Sequence, residues 1–303
     1  MATGECVGMY DDIPFEEYCG MPGMNASTLK WGRHSMLHLK AAIEKRMQRD
    51  SVDMGFGRAL HAMVLEPDTF ESRFRVSHGC CAVLKSGARN GMQCGCEARY
   101  SDGELFYCGK HADEDMVDDG HTLTGDEHER VQAACAMLRS NDVYRMLRLS
   151  GHNEVTLQWN RDEVLCKARL DKMTVPFGSV PRLIVDVKKC QVGRGGDFHA
   201  GRSMVDYGYD MQAAWYVEAV KAVTGDDAQF IWIFIEDDYP FAINAIQADR
   251  ETMQIGKLKI DKVWQQYLDA MASGAWPGYS DNVHLGGVPE FEREKFRNVL
   301  GGM

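Results

Sequence analysis

Asp186 and Lys188 stand two residues apart in RLIVDVKKC (182–190), an apolar run that reads as a buried strand. Residues i and i+2 of a strand project to one side, so this carboxylate and ammonium project together. Asp171 lies near the end of the preceding strand candidate, VLCKARLDKM (164–173). If the two strands pair, Asp171 faces Asp186 across the gap. Two carboxylates meeting at a strand end form a hard-oxygen site suited to Mg²⁺ or Mn²⁺. The lysine beside them could orient or deprotonate an attacking water, or stabilise charge on a phosphate. Burying an acid and a lysine in such a run is costly unless they are paired or metal-bound. D-x-K alone is common, however, and describes a plain buried ion pair equally well. His61, in the helical stretch GRALHAMVLEP (57–67), can bring an imidazole to the same ion. Gln212 and Tyr216, spaced i, i+4 on one helix face directly after the DVK strand, could touch phosphate or the attacking water. Singly, a helical histidine is more often structural and a Gln/Tyr pair more often solvated; the ordered set is what counts.

A second set of candidates is soft. Of ten cysteines, Cys80, Cys81, Cys94, Cys96 and Cys108 fall close together, with His111 three residues beyond the last. In a chain that shows no export signal at its start, such clustering suggests metal before disulfides. Cys108 and His111 form a sharp C-x-x-H knuckle, and with Cys80 and Cys94 they make a Cys3His set for tetrahedral zinc. Cys80 and Cys94 are chosen on a likeness of C-x-A-V to small zinc ribbons inserted in phage proteins. Cys81 and Cys96 are substitutes that the sequence does not separate from them. The contrary reading is a reduced, flexible loop with reactive thiols. Against it, a loop of about 35 residues with so few large apolar side chains needs a staple to stay ordered. Lys85, Arg89, Arg99 and Lys110 could make the module a DNA-contacting finger or simply solvate its surface.

Elements must hold these groups in place. EVTLQWN (154–160), VLCKARLDKM and RLIVDVKKC read as three consecutive strands, AQFIWIFIE (228–236) and FAINAIQA (241–248) as two more. Helices are expected from Asn25 or Ser27 to about Asp50, with Leu29, Met36, Leu37 and Leu39 inward, and over 54–66, where Gly55 and Gly57 permit close packing and Pro67 stops the helix. Others are expected from Thr124 to about Leu149 (stripe Val131, Ala134, Leu138, Val143), over 209–223, and over 251–274 with Gly274 as its stop. The order gives one α/β domain with a mixed central sheet, interrupted by a loop-rich module over 78–113.

Read together, GRALHAMVLEP, CKARLD, IVDVKK, YGYDMQAAWY, AQFIWIFIE and SGAWPGY resemble, in order and spacing, the RecE-type (exonuclease VIII) branch of the PD-(D/E)XK nucleases. The opening YDDIPFEEYCGMPGMNASTLK is similar to that branch too, and the likeness spans roughly 10–76 and 124–290. It implies a restriction-endonuclease-like α/β core built from 1–77 and 114–303, with 78–113 as a small zinc-ribbon-like insertion. It implies that His61, Asp171, Asp186 and the Val187 carbonyl bind the catalytic Mg²⁺ or Mn²⁺. Lys188 becomes the lysine of D-x-K, and Gln212 with Tyr216 the Q-x-x-x-Y helix motif. Glu154 is a weaker candidate for a second metal. The activity implied is degradation of double-stranded DNA from its ends, 5′ to 3′, leaving a 3′ strand for an annealing protein, in a phage- or prophage-encoded protein.

Composition bounds these expectations without choosing among them. The net charge of −11 argues against a protein that coats nucleic acid non-specifically, but not against one local basic groove. No run approaches a membrane span and no basic, apolar leader opens the chain, so a cytoplasmic protein is expected. A homo-oligomer is compatible with everything above. Two rivals stay open: a structure-specific endonuclease on the same fold, and a catalytically silent adaptor binding DNA through the zinc module.

Overall fold

The run FIWIFI (230–235) carries no polar side chain because its strand is covered on both faces. In the computed structural model, which describes residues 7–47, 52–116, 118, 120–178, 180–283 and 285–297, that strand is Ala228–Glu236, inside a six-stranded sheet. The strands are β1 (Gly8–Tyr10), β2 (Gly151–Arg161), β3 (Val164–Thr174), β4 (Arg182–Cys190), β5 (Ala228–Glu236) and β6 (Ile243–Gln247). They pair in that order, antiparallel everywhere except between β4 and β5. The five longer helices are α1 (Val52–Leu65), α2 (Gly125–Ser140), α3 (Asp197–Asp206), α4 (Tyr209–Thr224) and α5 (Arg250–Ser273). Helices α3 and α4 make the crossover that a parallel β4–β5 pair requires.

Alternation along β5 divides the core. Phe230, Trp232 and Phe234 pack with Trp215 of α4 and Trp264 of α5. Ile233 and Ile235 join Val185 and Val187 of β4, with Leu60 of α1 and Leu138 of α2. The result is helices on both faces of the sheet. Truncating the fully buried Trp215 to alanine should cost about 3–5 kcal/mol. Helices α4 and α5 cross closely at Gly256, where a Cβ would stand 2.2 Å from the Asp210 carbonyl oxygen. The β2–β3 hairpin turns on Asp162 and Glu163, both with positive φ, as a primed two-residue turn demands. Trp264 Nε1 donates to Asp162 Oδ2 at 2.8 Å and pins that turn to α5.

Several expectations need correction. The helix expected over Thr124–Leu149 ends at Ser140, because Asn141 is extended, and only a turn at Tyr144–Leu147 follows. The stretch after Asn25 breaks into Ala26–Leu29, a 3₁₀ turn Lys30–Arg33 and a helix Met36–Ile43. Asn25 caps the first piece and an extended Ser35 the last. That break rotates Leu37 outward, 53% exposed, while Leu29, Met36 and Leu39 stay buried. The expected end of that helix near Asp50 lies outside the described residues, as does Cys6. Gly57 faces open space rather than a packed neighbour. Strand β2 runs longer than 154–160 and β6 shorter than 241–248. Strand β1 and helix α3 were not foreseen, the first for shortness and the second for its weak apolar stripe, DFHAGRSMVD.

Residues Arg75–Ser77 pair in parallel with Thr122–Thr124, so the cysteine-rich stretch leaves and re-enters the fold side by side. Among the described residues, no helix is long and apolar enough to cross a membrane.

Candidate active site and cysteine cluster

Register places three carboxylates in one row across neighbouring strands. Asn153 pairs with Lys172 and Val155 with Leu170, which aligns Glu154 with Asp171; Lys172 pairs with Val185, which aligns Asp171 with Asp186. Neither acid–acid pair belongs to the ladder itself. Glu154 is left-handed, φ 48°, a conformation that costs a non-glycine residue about 1–3 kcal/mol. Between β3 and β4 the ladder stops, and the Val187 N–H donates instead to Asp171 Oδ2 at 2.7 Å. The sheet therefore opens where the acids sit.

Helix α1 brings His61 from one face of the sheet. Its Nε2 donates to the Val187 carbonyl at 2.7 Å, and its Nδ1 lies 3.4 Å from Asp171 Oδ2 and 3.9 Å from Glu154 Oε1. Burial disfavours the imidazolium, but Asp171 and Glu154 outweigh it and raise His61 to about 9. Burial raises Asp171 to about 7, His61 opposing and Asp186 and Glu154 assisting. Glu154 is held low against its burial by His61 and by Arg169, whose Nε donates to Glu154 Oε2 at 2.7 Å. A protonated His61 thus occupies the place of a cation among carboxylates.

Helix α4 closes the site from the other face. Gln212 Nε2 donates to Asp186 Oδ1 at 3.1 Å and to the Tyr216 hydroxyl at 3.0 Å. Lys188 Nζ lies 2.6 Å from Asp186 Oδ2, so the carboxylate is held by Gln212 on one oxygen and by the ammonium on the other. Lys188 also sits 5.0 Å from the Tyr209 ring centroid. Burial pulls Lys188 down, yet Asp186 and Asp171 hold it above the ordinary lysine value. Beside these charged acids it is an ammonium, a donor and a positive charge.

These donors suit a hard divalent ion. His61, Glu154 and Asp171 offer ligand atoms all within 4.8 Å of one another. Asp186, aligned with Asp171 across β3 and β4, adds a buried carboxylate, and the Val187 carbonyl lies against His61. Sequence reasoning missed Arg169 and Tyr209. Arg169 was legible as the residue two before Asp171 in CKARLD, where strand alternation sets both in reach of Glu154; Tyr209, reached only through a crossover, left no signal.

The soft candidates meet elsewhere. Sγ of Cys80 and Sγ of Cys108 each lie 3.4 Å from His111 Nδ1, and the ligand atoms of Cys80, Cys94, Cys108 and His111 are mutually within 4.8 Å. A tetrahedron with Zn–S near 2.3 Å and Zn–N near 2.0–2.1 Å has S···N edges of about 3.6 Å. The cage thus has the dimensions of a zinc site. Cys81 points its thiol to the Gly79 carbonyl at 3.8 Å and Cys96 is exposed, so neither joins it. Local turns make the cage: Cys94 N–H donates to the Ala82 carbonyl and His111 N–H to the Cys108 carbonyl. Arg99, half-buried, then ties the module to α2 through the buried Glu127, at 2.7 Å.

Comparison with known proteins agrees with the sheet. A family model described as a PDDEXK-like domain of unknown function (DUF3799) matches residues 25–286. The crystal structure of a protein described as "Putative exonuclease" from Eubacterium rectale superposes at TM-score 0.56, covering 93% of this chain and 98% of its own at 14% identity, a likeness of fold. The structure of SSO0001 aligns over 45% of this chain and 68% of its own at 14% identity, but its TM-score of 0.24 carries no weight. No curated protein matches the sequence.

Proposed function

The chain belongs to the DUF3799 family of PDDEXK-like domains, and from that premise we propose that it is a divalent-metal-dependent nuclease that resects linear duplex DNA. The mixed sheet with helices on both faces is a PDDEXK-like fold. The reading is carried by one observation. Asp171, pushed up to about 7 by its burial and by Asp186 and Glu154, shares with His61 and Glu154 a set of ligand atoms within 4.8 Å of one another, and Asp186, 1% exposed, stands beside it in the same row. Several acids buried together are costly unless a cation neutralises them.

His61, Asp171, Asp186 and the Val187 carbonyl would hold the ion, with Glu154 at its edge. Bound there, Mg²⁺ or Mn²⁺ supplies Lewis acidity toward a phosphodiester. The chain's own groups do the rest. Gln212, braced by Tyr216, fixes the orientation of Asp186. Arg169 neutralises Glu154, so that the row of acids does not repel itself apart. Lys188 stays protonated and offers an N–H toward the charge that develops on a phosphate, rather than taking a proton from water. Cys80, Cys94, Cys108 and His111 hold a structural zinc.

The finer parts of the proposal rest on the RecE-type likeness. They are 5′ to 3′ polarity, a 3′ strand passed to an annealing protein, and action in a bacterial cytoplasm as a phage or prophage product. The test uses end-labelled linear duplex and covalently closed circles with Mg²⁺. Early release of a 5′ label as mononucleotide, late release of a 3′ label and intact circles are expected. Rapid nicking of circles would give the site to an endonuclease, and an inert protein would leave a binding adaptor.

A further inference from the structure

The stretch KWGRHSMLHLKAAI (30–43) has three basic residues and no acidic one, in a chain whose net charge is −11. The same stretch builds a file of rings. Centroids of Trp31 and His34 are 5.6 Å apart, of His34 and His38 5.7 Å, and of His38 and Tyr279 5.3 Å. The broken helix sets this spacing. Trp31 rides the 3₁₀ turn, and Ser35 caps the next helix with its Oγ 2.7 Å from His38 Nδ1, which fixes that ring. Tyr279 arrives after α5, its segment anchored where the Leu37 N–H donates to the Pro277 carbonyl at 3.0 Å. The file is open to solvent: His34 is exposed and Tyr279 is 76% exposed. Burial, with Arg33 and His38 beside it, holds the His34 imidazole below its ordinary value, so the ring is neutral at neutral pH.

The file begins at the candidate active site. Lys30, just before Trp31, is half-buried and feels the Lys188 and Arg33 charges, and it has no carboxylate partner among the described residues. Arg33 spends its N–H groups on carbonyls, Val205 at 2.8 Å and Asp206 at 3.3 Å, which leave its charge uncompensated. Beyond that contact lies Tyr207, its ring tilted against the Tyr209 ring at 5.6 Å between centroids, and Lys188 overlies Tyr209. A strand leaving Lys188 therefore meets two cations short of anionic partners, then consecutive rings.

We infer that Trp31, His34, His38 and Tyr279 form a binding track for single-stranded DNA, with Lys30, Arg33 and Lys40 holding its phosphates. Bases stack on rings regardless of sequence, and a basic groove tracks the backbone. The inference deepens the nuclease reading and takes its ligand from it, by naming where the surviving strand would lie. A polyanion with flat bases matches both the charge and the rings of this face.

The probe is a fluorescein-labelled oligo(dT) of roughly fifteen nucleotides, titrated into the full protein without added divalent metal. Anisotropy and tryptophan quenching are read together. Saturable binding that weakens with salt is expected, and His34→Ala and Tyr279→Ala should each weaken it about tenfold. Met137→Ala, an exposed apolar side chain on α2 across the sheet, should leave it unchanged. Trp31→Phe should remove most of the quench while binding persists. Ring variants that bind like the wild type overturn the track, as does oligo(rU) bound in preference to oligo(dT). Duplex hydrolysis is measured separately: hydrolysis with ring-independent binding removes the track alone. Ring-dependent binding without hydrolysis supports the track and removes the nuclease.

Discussion

The carboxylate site and the cysteine cluster both bring metal-ligating atoms together, but from different distances along the chain. His61, Glu154, Asp171 and Asp186 come from a helix and three strands, and the sheet register sets them in place. Cys80, Cys94, Cys108 and His111 come from one short segment whose buried cluster contains only those cysteines and Ala98. The first site is prepared by a core that exists without it, and it tolerates buried charge because tryptophans and isoleucines on either side stabilise the sheet. The second has almost no core of its own, and metal ligation would be most of its folding free energy. Removing a ligand should therefore destroy chemistry in one place and structure in the other.

The largest effect is expected at the sheet. Asp186→Ala and Lys188→Ala should each lower duplex hydrolysis on the order of 10²-fold or more, through lost transition-state stabilisation. Thermal unfolding should stay cooperative, because the surrounding strand pairing β4–β5 is untouched. Steady-state hydrolysis by purified variants checks this, and near-wild-type turnover in either would take the site out of the account.

At the cluster the order reverses. Cys108→Ser and His111→Ala should release one zinc per chain, seen by elemental analysis, and open residues 78–113 to protease. Hydrolysis should survive at least in part, since the insertion leaves the sheet and its acids in place. Protein purified without chelator and found free of zinc would break the comparison outright. Loss of zinc together with loss of Mg²⁺ binding would show that the two sites are one system.

The same contrast explains what could be read from the sequence. RLIVDVKKC and AQFIWIFIE give β4 and β5 to the residue, because strands buried on both faces leave unbroken apolar runs. Asp171 and Asp186 were legible as neighbours once those strands were paired. Their row with Glu154 was not, since it depends on a left-handed residue that no propensity favours at glutamate. Leu37 went wrong because a helix interrupted at Ser35 restarts in a new phase, which a single period cannot show. Within the module, Cys80 against Cys81 differ only in which way a turn faces them. Local hydrogen bonds decide that, and periodicity does not carry it.

Titration sharpens the comparison further. His61, raised to about 9, contributes stability that is complete below its unfolded value of about 6.5 and lost as pH rises through about 9. Asp171, raised to about 7, likewise keeps a proton in the folded state that the unfolded chain releases near 4, so stability falls as pH rises across that window. A divalent ion competes with both protons, and its affinity should climb by up to about tenfold per pH unit for each proton displaced. The rise in Tm on adding Mn²⁺ should then grow steadily from pH 6 to 9, and a shift independent of pH would remove His61 and Asp171 from the ion's ligands. The zinc cluster should show its own pH dependence on the acid side, where thiolates protonate.

The smallest effect tests how the two regions are joined. Arg99 reaches from the module to Glu127, which also closes the capping box of α2 with Thr124. Burial disfavours the Glu127 carboxylate, but Arg99 and the Thr124 amide hold it below the ordinary glutamate value. Its contribution is therefore present above about pH 4.5 and lost as pH falls through its lowered folded value. Glu127→Gln keeps an oxygen for the Thr124 N–H but turns an NH₂ toward Arg99, so the charge and the Arg99 hydrogen bond are both lost. Since Glu97 also pairs with Arg99, at 2.8 Å, the guanidinium retains a partner and the cost should be about 1 kcal/mol, after discounting for solvent. That is enough to loosen the module without unfolding the sheet. Limited proteolysis should cut within 78–113 several times faster in the variant, with zinc still bound and hydrolysis unchanged. Equal cutting rates would mean that the parallel pair Arg75–Ser77 with Thr122–Thr124 holds the module alone, and that the metal cage needs no support from the domain beneath it.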